Sequence, residues 1–196
     1  GWGDGKSAKA GKLGIDPGNA VFLYVRFPTQ KAGAPETERF LRRSVYLHKL
    51  GDTQESDRPV FGFEVNAGIA VDGKLLPFPA VPSESEYAFV TLNTGVSPND
   101  EIYVVRVEDL GKEQIPWRRL VSFDDEVSSF AVRGDDLYLL TYKNAPRFKI
   151  VKTSLSNPDT AKATDVVPES DAILTGMTVS GDALIVQKSD AGIGKL

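Results

Sequence analysis

The sequence predicts an all-β chain. Short runs rich in Val, Ile, Leu, Tyr and Phe recur from end to end, clusters of Gly, Pro, Asp and Asn bound them, and no stretch of helical length holds a sustained helical period. The 196 residues suffice for one ordinary domain, and 41% hydrophobic side chains against 26% charged ones supply a core.

The strands follow in order from those boundaries. Pro17-Gly18-Asn19 precede a run over Val21 to Phe27, and Gly51-Asp52 close one over Ser44 to Leu50. Further runs cover Pro59 to Val65, Phe78 to Val81, Tyr87 to Leu92 and Glu101 to Val107, the last entered through Pro98-Asn99-Asp100. The second half places strands at Trp117 to Val121, Val127 to Val132, Leu137 to Tyr142, Phe148 to Ser154 and Lys162 to Val167. Thr175 to Val179 and Ala183 to Gln187 complete the set, with Gly181-Asp182 between them as a hairpin turn.

These strands repeat. Val132-Arg133-Gly134-Asp135-Asp136-Leu137 returns as Val179-Ser180-Gly181-Asp182-Ala183-Leu184 at a shift of 47 residues. Tyr87 to Thr91 matches Leu137 to Thr141 at a shift of 50, and Val45-Tyr46-Leu47 with Pro59-Val60 matches Ile102-Tyr103-Val104 with Pro116-Trp117 at 57. Four antiparallel strands per unit of about 50 residues is the spacing of β-propeller blades. Leu137 to Leu140 is apolar on both faces, as expected of a strand packed between neighbouring blades. The expected blade units cover 18–66, 76–122, 127–168 and, incompletely, 173–196, so the whole of 1–196 reads as a partial propeller of about three blades. A closed ring needs at least four. The open blade edges this implies are expected to favour self-association.

Composition excludes several function classes. Lys plus Arg number 23 against 27 Asp plus Glu, a net charge of -4, so no overall basic surface exists for nucleic acid. The longest apolar run, Ala20 to Val25, is far shorter than the ~20 residues of a membrane-spanning helix. With no cysteine there is no disulfide, thiolate nucleophile or cysteine-bound metal, a pattern that suits cytoplasm and periplasm equally. The chain opens at Gly1 and its only methionine is Met177, as expected of a piece of a longer protein.

The one histidine, His48, shares a strand face with Tyr46 and Leu50 and reads as structural, because no second histidine or thiolate can share a metal with it. Gly5-Lys6-Ser7 resembles the tail of a P-loop but lacks the strand before it and the helix after it, and reads as a glycine-rich loop. Asp124-Asp125-Glu126 and Asp135-Asp136 sit between strands, where carboxylates serve turns. They do not have the spacing of a calcium loop. Trp117 repeats Val60 in position and reads as packing on an outer strand. No metal or cofactor is expected.

Tyr46-Leu47-His48-Lys49-Leu50-Gly51-Asp52-Thr53-Gln54-Glu55-Ser56-Asp57, followed by Pro59-Val60-Phe61, resembles a stretch of the prolyl oligopeptidase family. There, a strand ending in His-x-Leu-Gly passes through a Thr/Asp-Gln-Ser-x-Asp loop into the next strand. Asn99 to Val105, Asp136 to Val151 and Val166 to Glu169 resemble further segments of that family's propeller. The resemblance implies a serine-type endopeptidase of two domains, a seven-bladed propeller and an α/β-hydrolase domain. In it the propeller covers the active site and restricts it to short peptides cleaved after proline. No catalytic residue carries over: the nearest approach to Gly-x-Ser-x-Gly, Gly95-Val96-Ser97-Pro98-Asn99, lacks the second glycine and lies between two strands. By the same resemblance Pro77, Phe78 and Val96 fall where family members turn apolar side chains toward the substrate cavity. A stand-alone propeller that binds a protein or ligand, without peptidase activity, is the alternative, since fold alone does not fix function.

Overall fold

The computed structural model describes residues 21–30, 32–82, 85–190 and 193–195. The expected runs form four consecutive antiparallel sheets. Strands β1 (Val21–Arg26), β2 (Ser44–Lys49) and β3 (Arg58–Gly62) make the first, in the order β1-β2-β3. The second is β4 (Leu76–Ala80), β5 (Tyr87–Asn93), β6 (Asp100–Arg106) and β7 (Arg118–Val121). The third is β8 (Val127–Arg133), β9 (Asp136–Thr141), β10 (Lys149–Ser154) and β11 (Thr164–Val167). Strands β12 (Ile173–Ser180), β13 (Ala183–Asp190) and β14 (Ile193–Lys195) make the last. In every sheet spatial order follows chain order, the meander of a propeller blade.

The described residues fall into two compact units, one of those up to Val96 with Ile102–Arg119, the other of Ser97–Glu101 with those from Leu120 onward. In the first unit Val45, Val60 and Phe61 of the β1–β3 sheet pack with Ala88, Val90 and Leu92 of β5 and with Tyr103 and Val105 of β6. Trp117 seals this core: its indole Nε1 donates to the Val60 carbonyl at 2.8 Å and its ring meets Phe61 edge-on at 5.1 Å. The tryptophan and the valine it repeats are therefore direct partners. In the second unit Tyr138, Leu140 and Ile150 pack against Leu174, with Met177 and Val179 of β12 and Leu184 and Val186 of β13 beside them.

Where strand ends depart from the sequence reading, local backbone chemistry gives the reason. β3 stops at Gly62, not Val65; Gly62, still paired with Ser44, takes φ 144°, and a Cβ there would lie 2.6 Å from the Ser44 hydroxyl. Glu64 follows in the left-handed region at φ 57°. β11 begins at Thr164, not Lys162, because Thr160–Lys162 forms a 3-10 turn capped by Asp159, whose carboxylate accepts from Ala161 N at 3.1 Å and Lys162 N at 3.2 Å. β14 is a strand beyond those expected. The repeated Gly-Asp turns do join β8 to β9 and β12 to β13, with Gly134 at φ 57° and Gly181 at φ 59°, positive values at the first turn position that glycine meets without strain.

Leu139 is fully buried on β9, whereas the Lys143 side chain is half exposed. Leu139→Ala is expected to cost about 2–5 kcal/mol of unfolding free energy, and Lys143→Ala less than about 1 kcal/mol, in chemical denaturation. Equal losses at the two positions would contradict the burial of Leu139 on β9.

Candidate functional site

The residues expected to line a cavity lie at one end of the first unit. β4 enters at Leu76, which pairs with Asn93 at the end of β5, and Pro77 and Phe78 pair with Leu92 and Thr91. The β5–β6 loop therefore starts beside the start of β4; a Cβ on Gly95 would meet Leu76 Cδ1 at 3.2 Å. Val96, next in that loop, is 94% exposed, and Phe78 is 54% exposed. Pro77 is buried. Successive residues of a strand face opposite ways, so Phe78 and Pro77 cannot serve the same surface. Phe78 and Val96 remain as apolar side chains offered to solvent at this end.

Ser97, central to the imperfect elbow, sits in the β5–β6 loop, where its hydroxyl lies 3.2 Å from Asn99 Oδ1 and accepts from Asn99 N at 3.3 Å. Those contacts close a local turn. Gly5-Lys6-Ser7 lies outside the described residues.

The acidic groups between strands are spent on backbone geometry. Asp125 accepts from Ser122 N, Ser122 Oγ and Thr160 Oγ1, each at 2.9 Å, with Lys143 Nζ at 3.8 Å. Burial works against its charge, but the Ser122 and Thr160 hydrogen bonds prevail and hold its carboxyl below the usual range. Beside it a cleft of about 310 Å³ is lined by apolar Val127, Leu139 and Val151 and by polar Thr141 and Lys143. Lys143 is already occupied by Asp125 and by the Asp124 carbonyl at 2.9 Å, which leaves the cleft little charge to offer a ligand. Asp135 likewise accepts from Ser154 Oγ at 2.6 Å and Ser156 N at 2.8 Å, and those bonds lower its pKa.

His48 belongs to a cluster the sequence reading did not foresee. Register places Phe22 opposite His48 and Tyr24 opposite Tyr46, so these rings share one face of the β1–β2 pair, with Phe22 and His48 centroids 4.8 Å apart. Asp57, from the loop before β3, enters this face with a side chain only 1% exposed. His48 Nδ1 meets its Oδ1 at 2.7 Å, and the Tyr24 hydroxyl donates to its Oδ2 at 2.6 Å. Both carboxylate oxygens are thus held, and the loop from Gly51 to Asp57 is fastened to β1 and β2.

Burial disfavours the Asp57 charge, yet the hydrogen bonds from Tyr24 and His48, with the positive fields of His48 and Arg26, outweigh it and hold the carboxyl below the usual carboxylate range. For Tyr24 the same contact acts in the opposite direction, since burial and the Asp57 carboxylate both push its hydroxyl up and keep it a donor. Because folding lowers the Asp57 pKa, its contribution to stability is complete above the unfolded value of ~3.9 and is lost as pH falls through the folded value. Asp57→Asn is expected to destabilise the protein near pH 7 and to lose that penalty in acid, so that denaturation profiles of parent and variant converge as pH falls through the lowered folded-state value, below ~3.9. Profiles that stay parallel would show that Asp57 is not held as an ion.

Comparison with known proteins supplies the family. The model for the prolyl oligopeptidase N-terminal beta-propeller domain matches residues 16–196. The chain is 27% identical over 174 residues to a prolyl endopeptidase of Elizabethkingia meningoseptica, covering 89% of this chain and 23% of that protein. To prolyl oligopeptidase A of Galerina marginata it is 23% identical over 185 residues, covering 88% and 23%. Among solved structures, prolyl oligopeptidase B of Galerina marginata bound to a 35mer hydrolysis and macrocyclization substrate superposes with a TM-score of 0.68 at 21% identity, over 90% of this chain and 25% of that one. A structure from a study of two prolyl endopeptidases and their inter-domain dynamics gives 0.69 at 23% identity, over 86% and 23%. The chain thus spans about a quarter of the length of these relatives. The match over nearly all its length, on four blade-like meanders, places the chain in the prolyl oligopeptidase family as part of its N-terminal β-propeller domain.

Proposed function

We propose that this chain is the non-catalytic, substrate-selecting part of a serine-type endopeptidase that cleaves short proline-containing peptides, with its catalytic α/β-hydrolase domain elsewhere in the full-length protein. The match of the family's propeller model over residues 16–196 carries this reading. In this reading the blade units are approximately 18–66, 76–122, 127–168 and, incompletely, 173–196, and the order of strands in each sheet supports it. Phe78 and Val96 are the side chains that would meet the peptide, because they are apolar and exposed at the end of the first unit where β4 begins. Pro77, the residue before Phe78 on β4, is buried and pairs with Leu92.

The isolated chain is expected to show no turnover of a chromogenic proline peptide and no labelling by a serine-directed phosphonate, and the full-length protein to show both. A full-length protein with neither would favour a binding module. In the full-length enzyme Phe78→Ala and Val96→Ala are expected to raise KM about threefold with kcat nearly unchanged, each having lost a small apolar contact. Pro77→Ala should lower the melting temperature without moving KM. Unchanged KM in both exposed-residue variants would remove them from the peptide path.

The isolated chain of 21.3 kDa is also expected to associate with itself, since β1 and β14 are edge strands among the described residues. A monodisperse monomer in sedimentation would show that these edges are protected.

A further inference from the structure

The connection between β1 and β2 departs from the rest of the chain in charge. The chain carries a net charge of -4, yet from Arg26 to Arg43 it places five basic residues, Arg26, Lys31, Arg39, Arg42 and Arg43, against two acidic ones, Glu36 and Glu38. Among the described residues no carboxylate lies within ion-pair distance of Arg26, Arg39, Arg42 or Arg43. Arg26 sits over Tyr46 and already serves the Asp57 cluster.

The others rest on aromatic rings. Arg39 Cζ stands 4.5 Å from the Phe40 ring centre, Arg43 Cζ 5.0 Å from that of Phe27, and Arg42 Cζ 5.6 Å from that of Phe63. Phe27 and Phe40 themselves meet edge to face at 6.3 Å. The result is a row, Arg39–Phe40–Phe27–Arg43, in which Phe40 is 46% and Phe27 52% exposed. A pair of large rings left in solvent adds nothing to a core. Stacking satisfies the face of a guanidinium and leaves its N–H edge for a carboxylate, which it can take bidentately. Exposed aromatics with arginine at their ends are also the side chains over-represented where proteins bind partners.

Position links the row to peptide. Arg42 N donates to the Gly73 carbonyl, Leu76 opens β4 three residues later, and Leu76 pairs with Asn93 at the root of the loop that carries Val96. The arginine row, Phe78 and Val96 therefore share one end of the first unit. We propose that Arg39, Phe40, Phe27 and Arg43 form a recognition surface for an acidic segment of the peptides that reach this end, its carboxylates on the two guanidiniums and its backbone over the two rings. Where the peptide comes from rests on the peptidase reading above; the charge preference rests on the row itself.

Two fluorescein-labelled peptides share a proline-containing core, one extended by three glutamates and the other by three serines. They are titrated by anisotropy against the full-length protein after treatment with a serine-directed phosphonate. The glutamate peptide is expected to bind about fivefold more tightly at low salt, and the preference to fall below about twofold near 0.5 M NaCl. R39A/R43A should abolish the preference and leave the serine peptide unchanged. If that variant loses the serine peptide as well, R39Q/R43Q, which keeps side-chain length and polarity, takes its place.

Equal affinities in the parent, or a preference that survives neutralisation of both arginines, overturn the proposal. So does a parent without preference whose melting temperature drops in R39Q/R43Q, since the row is then covered by another part of its own protein. Cleavage of neither peptide by the untreated full-length protein counts against the peptidase reading alone, because the anisotropy result does not depend on turnover.

Discussion

A strand whose neighbouring residues are all apolar cannot be stable in a sheet with one wet face, because its side chains alternate between the two faces. β5 buries Ala88, Phe89 and Val90 completely, and on β9 Leu137 and Leu139 are fully buried with Tyr138 and Leu140 nearly so. Each such side chain gains about 1.5–3 kcal/mol only when its own face is covered. In the first unit the β1–β3 sheet covers Ala88, Val90 and Leu92; in the second, β12 and β13 cover Tyr138 and Leu140. Sheet-on-sheet packing is thus a requirement of the inner strands. Among the last strands of the sheets β11 is released from it, with Thr164, Asp165 and Val166 exposed, whereas β3 still buries Val60 and Phe61.

With stability carried by the strands, the polar chemistry of the chain goes into its loops. Asp57, Asp125 and Asp135 each fasten a turn by accepting several donors, and all three are held more acidic than usual. The lone histidine is committed in the same way. Side chains that in another protein would form a reactive group here fix where loops leave the sheets.

Much of this fold is legible in the sequence because its information is periodic and local. Apolar runs between Gly, Pro, Asp and Asn locate the strands, and the shifts of 47, 50 and 57 residues locate the blades. Strand ends are set by finer effects, such as the Asp159 cap, that leave no periodic trace. The Asp57 cluster joins residues 33 apart in the chain, Tyr24 and Asp57, through the register of β1 on β2, which the residues alone do not specify. Pro77 is different: the sequence places the strand start at Phe78, and only the observed start at Leu76 brings Pro77 into the strand, where the period of two sends it and Phe78 to opposite faces.

Net charge is a poor guide to what a surface of this size attracts. Fields between exposed charges fade over ~8 Å at physiological ionic strength, so a ligand at the β1–β2 loop responds to the nearest arginines and little to the excess of carboxylates elsewhere. A charge of -4 speaks to a phosphate backbone, which needs basic groups along a long track, and says little about a small anion. Arg39 and Arg43 bracket two exposed phenylalanines without a carboxylate partner among the described residues, and such a row, small beside the whole surface, makes a local positive field that the net charge does not report.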